Sequence, residues 1–401
     1  MKKTLTVLTL LAAGTSQAAG LAIDTQSSRA TGMGSTGVAS TRDSSSIYYN
    51  PAGILGINKL DAQLGDTLIL VNLGFTPAIA GAPEQDQNTA APPPHAYFAY
   101  KLTDQFAAGV GVFTPFGANS KWPADFVGRQ IALESSVTTF DINPTLAYAP
   151  LKWLRIGAGA QIIYGSVGIT RSLPLGTTPE STVKLSTNDW GFGFNAGVQV
   201  DVLPELLTLG ATYRSRVAFH TQGTADFRDI PAPFAPVFAD TPASLDVTMP
   251  SSVGLGASFT PVSKLTLAAD VNWMEWSTIQ ELLFVLESPP GGAPNQPLPK
   301  RWKDMWSFHV GGEYKVMDAL ALRLGFIYDP TPTPEETLTP DLPDASRLNF
   351  TAGLGYSMSN LRADLGYQLV LLQDQRSTSE LLPGTYSGTA HVIGLTLGYS
   401  M

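Results

Sequence analysis

The feature that most constrains this chain is a period-two alternation running from about Lys59 to Met401. Large apolar residues occupy one parity, and Gly, Ser, Thr, Asn or charged residues the other. The last segment shows it best, with His391, Ile393, Leu395, Leu397, Tyr399 and Met401 on one face and Gly394, Thr396, Gly398 and Ser400 on the other. Phe350, Ala352, Leu354 and Tyr356 repeat the pattern, as do Leu361, Ala363, Leu365, Tyr367 and Leu369. Charged residues fall on the small-residue face. Such a chain folds into strands, and no apolar run reaches the roughly 18 residues that a membrane-spanning helix needs.

Composition decides what those strands face. Only 14% of the residues are charged, against about 25% in an average soluble domain. A soluble sandwich would put more Lys and Glu on its outer face. Connection length separates the two cases further. Short connections near 103–104, 150–152, 203–205, 261–263, 317–318 and 358–360 alternate with long Pro/Gly/Ser/Thr-rich ones near 75–94, 117–133, 172–187, 226–244, 286–300, 330–345 and 375–385. An outer-membrane barrel produces this rhythm, with tight turns in the periplasm and long loops outside.

The segments between these connections predict fourteen strands, at 59–74, 95–102, 105–116, 134–149, 153–171, 188–202, 206–225, 245–259, 264–285, 301–316, 319–329, 346–357, 361–374 and 386–401. The fold class is therefore all-β, a 14-stranded antiparallel transmembrane barrel. Trp153, Trp190, Tyr213, Trp273, Trp306, Tyr328, Tyr356 and Tyr399 lie near strand ends or on the apolar face, where interfacial girdles form.

The N-terminus has a different character. Lys2 and Lys3 precede an apolar run from Leu5 to Ala13, and Ser16-Gln17-Ala18 offers small residues for cleavage, so residues 1–18 read as a secretory signal peptide. Residues 19–58 do not alternate, and Gly, Ser and Thr dominate from Thr31 to Ser46. A segment this polar, placed before a barrel at 59–401, is expected to fold back into the lumen as a hatch, or else to remain a periplasmic tail.

Collinear motifs now give a family resemblance along nearly the whole mature chain. Tyr48-Tyr49-Asn50-Pro51-Ala52-Gly53, Thr114-Pro115-Phe116-Gly117, Asn143-Pro144-Thr145, Trp190-Gly191-Phe192-Gly193, Tyr213-Arg214-Ser215, Trp302-Lys303-Asp304 and Tyr328-Asp329-Pro330 resemble signatures of the FadL/TodX outer-membrane transporters of long-chain fatty acids and other hydrophobic compounds. The resemblance implies a fourteen-stranded barrel closed by an N-terminal hatch, and passive uptake of a hydrophobe, with fatty acids the expected substrate. Three features depart from the pattern. Residues 172–187 lack an amphipathic helical insertion, the chain ends in Met401 rather than an aromatic residue, and the family also includes aromatic-hydrocarbon transporters.

Such transport needs a capture surface, a pocket and an exit. For capture, the loop at 226–244 offers Phe227, Ile230, Phe234, Val237 and Phe238 between stiffening prolines. For the pocket, Arg171, Lys303 and Asp329 take inward parity and match positions that the resemblance links to a substrate carboxylate. Arg155, Arg214, Arg323 and Arg362 are placed equally well by parity, and all of these residues could instead tie the hatch to the wall. For the exit, Pro115 and Gly117 break the third strand. The resemblance then implies a lateral door lined by Phe113 and Phe116, with Asn50, Pro51 and Ala52 as its gate.

Several function classes drop out. There is no cysteine, and the net charge is -9, which argues against thiolate metal sites and nucleic-acid partners. His95, His220, His309 and His391 are scattered, so no metal, cofactor or catalytic site is expected. Ser307 and His309 share a parity, yet residues two apart on a strand point in parallel. The expected partners are a hydrophobic small molecule and outer-membrane lipid, with the chain a monomer. The competing readings are a barrel-anchored adhesin or structural protein, and a general porin.

Overall fold

The computed structural model describes residues 20–401, so the expected signal peptide at 1–18 lies outside the described residues. Among these, fourteen antiparallel wall strands close on themselves. They are β1 (Leu60–Pro77), β2 (Gln85–Ala91 and Pro94–Lys101), β3 (Phe106–Phe113 and Gly117–Lys121), β4 (Glu134–Leu151), β5 (Leu154–Leu173), β6 (Ser181–Leu203) and β7 (Leu207–Arg214 and Val217–Arg228). The second half comprises β8 (Thr241–Met249 and Ser252–Val262), β9 (Leu265–Met274, resuming at Phe284–Leu286), β10 (Met305–Met317), β11 (Leu320–Asp329), β12 (Arg347–Met358), β13 (Leu361–Ser377) and β14 (Gly384–Ser400). Closure is by β1 against β14, in register from Asp61 opposite Ser400 to Pro77 opposite Gly384.

Parity works as the sequence predicts. On β14, Ile393, Leu395, Leu397 and Tyr399 are exposed outward, while Gly394, Thr396 and Gly398 are buried against the lumen contents. Leu146, Phe192 and Leu324 are 67%, 69% and 70% exposed on the outer surface. Each such side chain gains about 1.5–3 kcal/mol on leaving water. Repeated around the wall, that gain makes hydrocarbon the only suitable surrounding.

Several boundaries differ from the expected ones, and three of these have a clear local cause. The predicted strand at 264–285 stops at Met274, because Trp276 turns inward and is buried at the start of a short 3₁₀ turn, Trp276–Thr278. The loop expected at 172–187 shrinks, since Ser181 to Thr187 continue the alternation as the upper part of β6. The aromatic capture loop also shrinks, because β7 runs on to Arg228 and takes in Phe227.

Residues 20–58 occupy the lumen with two single-turn helices, α1 (Ser28–Gly32) and α2 (Ser46–Tyr49), and a 3₁₀ turn, Pro51–Gly56. Helices this short owe their stability to packing. The wall makes room with inward glycines. A methyl group at Gly157 would lie 2.4 Å from the Pro51 carbonyl carbon, and one at Gly311 would lie 2.0 Å from the Met33 oxygen.

Charge joins hatch to wall. Arg29 meets Glu313 at 3.0 Å, and Arg323 bridges Glu313 and Asp364, each at 2.7 Å. Arg362 then contacts Asp364 at 2.9 Å, Asp43 at 3.7 Å and Asp61 at 3.9 Å. Removing one member of such a buried set costs about 3–5 kcal/mol, because its partner is left uncompensated.

Candidate functional site

The site begins where β3 breaks. Pro115 has no N–H to give the sheet, and the strand is interrupted between Phe113 and Gly117. Backbone groups freed there would face hydrocarbon at several kcal/mol each. They turn inward instead and pair with the start of the hatch. Ile23 N donates to Pro115 O at 2.9 Å, Gly117 N donates to Leu21 O at 2.8 Å, and Ala22 sits opposite Phe116 as an isolated bridge. Gln26 donates its amide to the Thr114 carbonyl at 2.5 Å, and Phe116 N donates to Thr139 Oγ1 at 3.0 Å. Above this point the pairing of β2 with β3 has ended, its last register being Ala96 opposite Val112. The wall is unzipped on that side, while Gly117–Lys121 still pair with β4.

The two phenylalanines lie on either side of the break. Phe113 is fully buried, edge-on to Tyr48 at 5.3 Å and stacked with Tyr97 at 5.8 Å. Phe116 packs edge-on to Trp276 at 6.3 Å, and Trp276 meets Trp302 at 5.2 Å. Above the break these rings join Leu21, Ile279 and Leu342 in one apolar cluster.

The expected gate is placed differently. Asn50, Pro51 and Ala52 lie against β5 and β6, with Pro51 packed on Gly157 and Asn50 on Gly197. Asn50 is fully buried, donating its amide to the carbonyls of Val38 (2.8 Å), Val198 (3.0 Å) and Ala211 (3.2 Å), and its oxygen accepts from Ala52 N. The hatch residues that pack beside Phe113, below the Leu21–Ile23 pairing, are Ile47 and Tyr48. The resemblance set Asn50 at the door, but its hydrogen bonds hold it to carbonyls that β6 and β7 supply.

Two cavities lie beside the break. One, of about 50 Å³, is lined by Gly20, Leu73, Ala118, Trp302 and Arg347, under the loops. The other, of about 130 Å³, lies deeper between hatch and wall, with Tyr48, Met274, Trp276 and Met305 on its apolar side and Asp24, Asp270, His309, Arg214 and Asp329 on its polar side.

Loops close the upper cavity. Lys300, 1% exposed, donates to Asp341 Oδ2 at 2.7 Å and to Thr339 Oγ1 at 2.9 Å. Arg347 pairs with Asp344 at 2.5 Å, and Asp344 accepts the backbone N–H of Gly20 at 3.2 Å. Burial pushes the Asp344 carboxyl above its ordinary range against the pull of Arg347. Burial likewise raises Asp24 in the hatch, with His309 opposing.

Of the proposed head-group residues, only Asp329 lines a cavity. Lys303 precedes β10 in an exposed loop, so the parity that turned it inward does not apply. Arg171 is exposed near the top of β5 and lines neither cavity. The other inward arginines are held by carboxylates, Arg155 by Asp201 and Arg214 by Asp141. Ile230 and Phe238 are half-buried, Phe238 against Phe227 at 5.6 Å, and Phe234 and Val237 are 41% and 44% exposed on the outer loop. Ser307 and His309 do meet, at 3.0 Å, and the other ring nitrogen of His309 contacts the Gly34 carbonyl at 2.9 Å. Lys300 and Asp341 escaped the sequence reading because loops carry no period.

Comparison with known proteins gives a consistent picture. The family model described as outer membrane protein transport protein (OMPP1/FadL/TodX) matches residues 9–401. The chain is 23% identical to the long-chain fatty acid transport protein of Escherichia coli, covering 100% of this chain and 98% of that one. It is 23% identical to outer membrane protein P1 of Haemophilus influenzae, over 98% and 97%. Among solved structures, a Pseudomonas aeruginosa FadL homologue aligns with TM-score 0.83 at 22% identity, covering 95% of this chain and 100% of that one. The Ralstonia pickettii toluene transporter TbuX aligns with TM-score 0.68 at 19% identity, over 92% and 97%.

Proposed function

Because the chain belongs to the OMPP1/FadL/TodX family of outer-membrane transport proteins, whose members carry hydrophobic compounds, we propose that it admits a hydrophobic small molecule through the kinked third strand. The substrate is caught at Phe234 and Val237 on the outer loops, held in the lumen cavities and released sideways past Phe113 and Phe116. The observation that carries this reading is the inward break at Pro115, where the hatch segment Leu21–Ile23 completes the backbone that the wall leaves unpaired. An adhesin would have no use for an unzipped strand beside an aromatic-lined cavity. A water-filled pore is disfavoured because hatch and ion network occupy the lumen.

Relatives carry both fatty acids and toluene in their names, so both classes enter the test. Cells expressing the protein are compared with cells expressing the same barrel carrying Phe234→Ser and Val237→Ser, using labelled oleate and labelled toluene. Faster uptake of at least one by the native protein, reduced in the variant, is the expected result. Uptake of neither above cells lacking the protein would overturn the reading.

A further inference from the structure

The polar side of the 130 Å³ cavity states which head group it can accept. Three carboxylates, Asp24, Asp270 and Asp329, border it, against one guanidinium, Arg214. That guanidinium is already committed, donating to Asp141 Oδ2 at 3.3 Å, Gln161 Oε1 at 2.6 Å and the Tyr48 carbonyl at 3.0 Å, and lying 5.2 Å from the Tyr48 ring centre. Asp270 is 2% exposed. Its Oδ2 accepts from Gly37 N and Val38 N at 2.7 and 3.0 Å, and its Oδ1 has no hydrogen-bond partner. A buried acceptor left without a donor is costly, so a donor that reaches it gains accordingly.

The dyad fixes a further acceptor. His309 Nδ1 faces the Gly34 carbonyl and so carries the proton, which leaves Nε2 to accept from the Ser307 hydroxyl. The Ser307 oxygen then offers only lone pairs to the cavity. Ser35, Ser252 and Asn272 also line it and are uncharged. A carboxylate placed here would meet three carboxyl groups, with the one guanidinium already committed, whereas a hydroxyl would find acceptors.

The volume sets the size of the guest. About 130 Å³ is close to the roughly 150 Å³ of an engineered cavity that holds one benzene ring. Resting on the transport reading above, we infer that this cavity selects a ring-sized hydrophobe bearing a hydrogen-bond donor, such as a phenol, and rejects the matching carboxylate.

The test is calorimetric titration of the full-length purified protein with p-cresol, p-xylene and p-toluate, which share a ring and differ in head group, at about pH 8, where the carboxylate is charged and the phenol is not. The expected order is p-cresol, then p-xylene, then p-toluate, with p-toluate weaker than p-cresol by about tenfold or more. In Asp270→Asn the remaining oxygen still accepts from Gly37 and Val38, and an amide donor replaces the lone acceptor. That variant should lose affinity for p-cresol and gain it for p-toluate. Ser307→Ala, with folding checked by heat-modifiable migration, should weaken p-cresol and leave p-xylene unchanged. Equal or tighter binding of p-toluate by the native protein overturns the inference while leaving transport standing. Binding of none of the three overturns the cavity as a site, and transport falls with it only if oleate and toluene uptake also fail.

Discussion

Ile23 gives its backbone N–H to the carbonyl of Pro115 across 2.9 Å, joining the hatch to the wall where the third strand breaks. This bond and that of Gly117 to Leu21 flank Ala22 and Phe116, which makes those two a non-hydrogen-bonded antiparallel pair. Such pairs have Cα atoms about 4.5 Å apart, within disulfide range. The chain has no cysteine to interfere. In Ala22→Cys/Phe116→Cys, oxidation should abolish hydrophobe uptake and reduction should restore it. Uptake that ignores the cross-link would mean that hatch and kink never separate.

Asn50→Ala removes an amide serving three carbonyls and the cap of the 3₁₀ turn. The loss should cost the docked hatch about 2–4 kcal/mol. Gly157→Ala should act in the same direction by crowding Pro51, at about 1–3 kcal/mol. Both variants should show raised ion conductance in planar bilayers with the barrel intact by heat-modifiable migration. A closed, silent Asn50→Ala channel would contradict the role given to that side chain.

Lys300→Met keeps the volume but leaves Asp341 buried without its cation. The outer loops should lose about 3–5 kcal/mol of closure, seen as faster cleavage within 276–304 and 330–346 when intact cells are treated with protease. Replacing Asp341 with Leu as well should recover much of the protection, since an apolar pair substitutes for a buried ion pair.

Asp24 supplies a pH dependence with a definite sign. Burial raises its folded value above the ordinary 3.8, so its contribution to docking is fully present below that value and is lost as pH rises through the raised one. The groups acting on it are His309, Ser35 and Arg347. Hydrogen-exchange protection factors for residues 20–32 should therefore fall with rising pH in the native protein, and the fall should be smaller in Asp24→Asn. Equal slopes would assign the dependence to another group.

The wall was legible because lipid and lumen impose opposite chemistry on alternate residues, and that contrast reads directly from Ile393, Leu395 and Leu397 against Gly394, Thr396 and Gly398. The inward arginines were legible by the same rule, and Arg155, Arg214, Arg323 and Arg362 all meet carboxylates. The rule fails where strands end. Lys303 was chosen by extending a strand that had not begun, while Lys300, three residues away, holds the buried ion pair. The seat of Asn50 was illegible for another reason. Its partners come from residues up to 161 positions distant, and nothing local to Asn50-Pro51-Ala52 says which strands will supply them.

The uneven attachment of the hatch has a mechanical consequence. Its middle and lower parts are moored by Arg29, Asp43 and Arg42 to wall charges, but its first residues hold the kink through uncharged hydrogen bonds alone. Pulling free the moored part would strand ions in the lumen, whereas peeling back the leading end breaks the neutral bonds at the kink and the single bond from Gly20 N–H to Asp344, which keeps its pairing with Arg347. On the proposed route the plug would therefore work as a hinged flap rather than a cork. A molecule taking that route would slip past the tip while the moored part stays in place, and each passage would leave the ion barrier of the outer membrane unbroken.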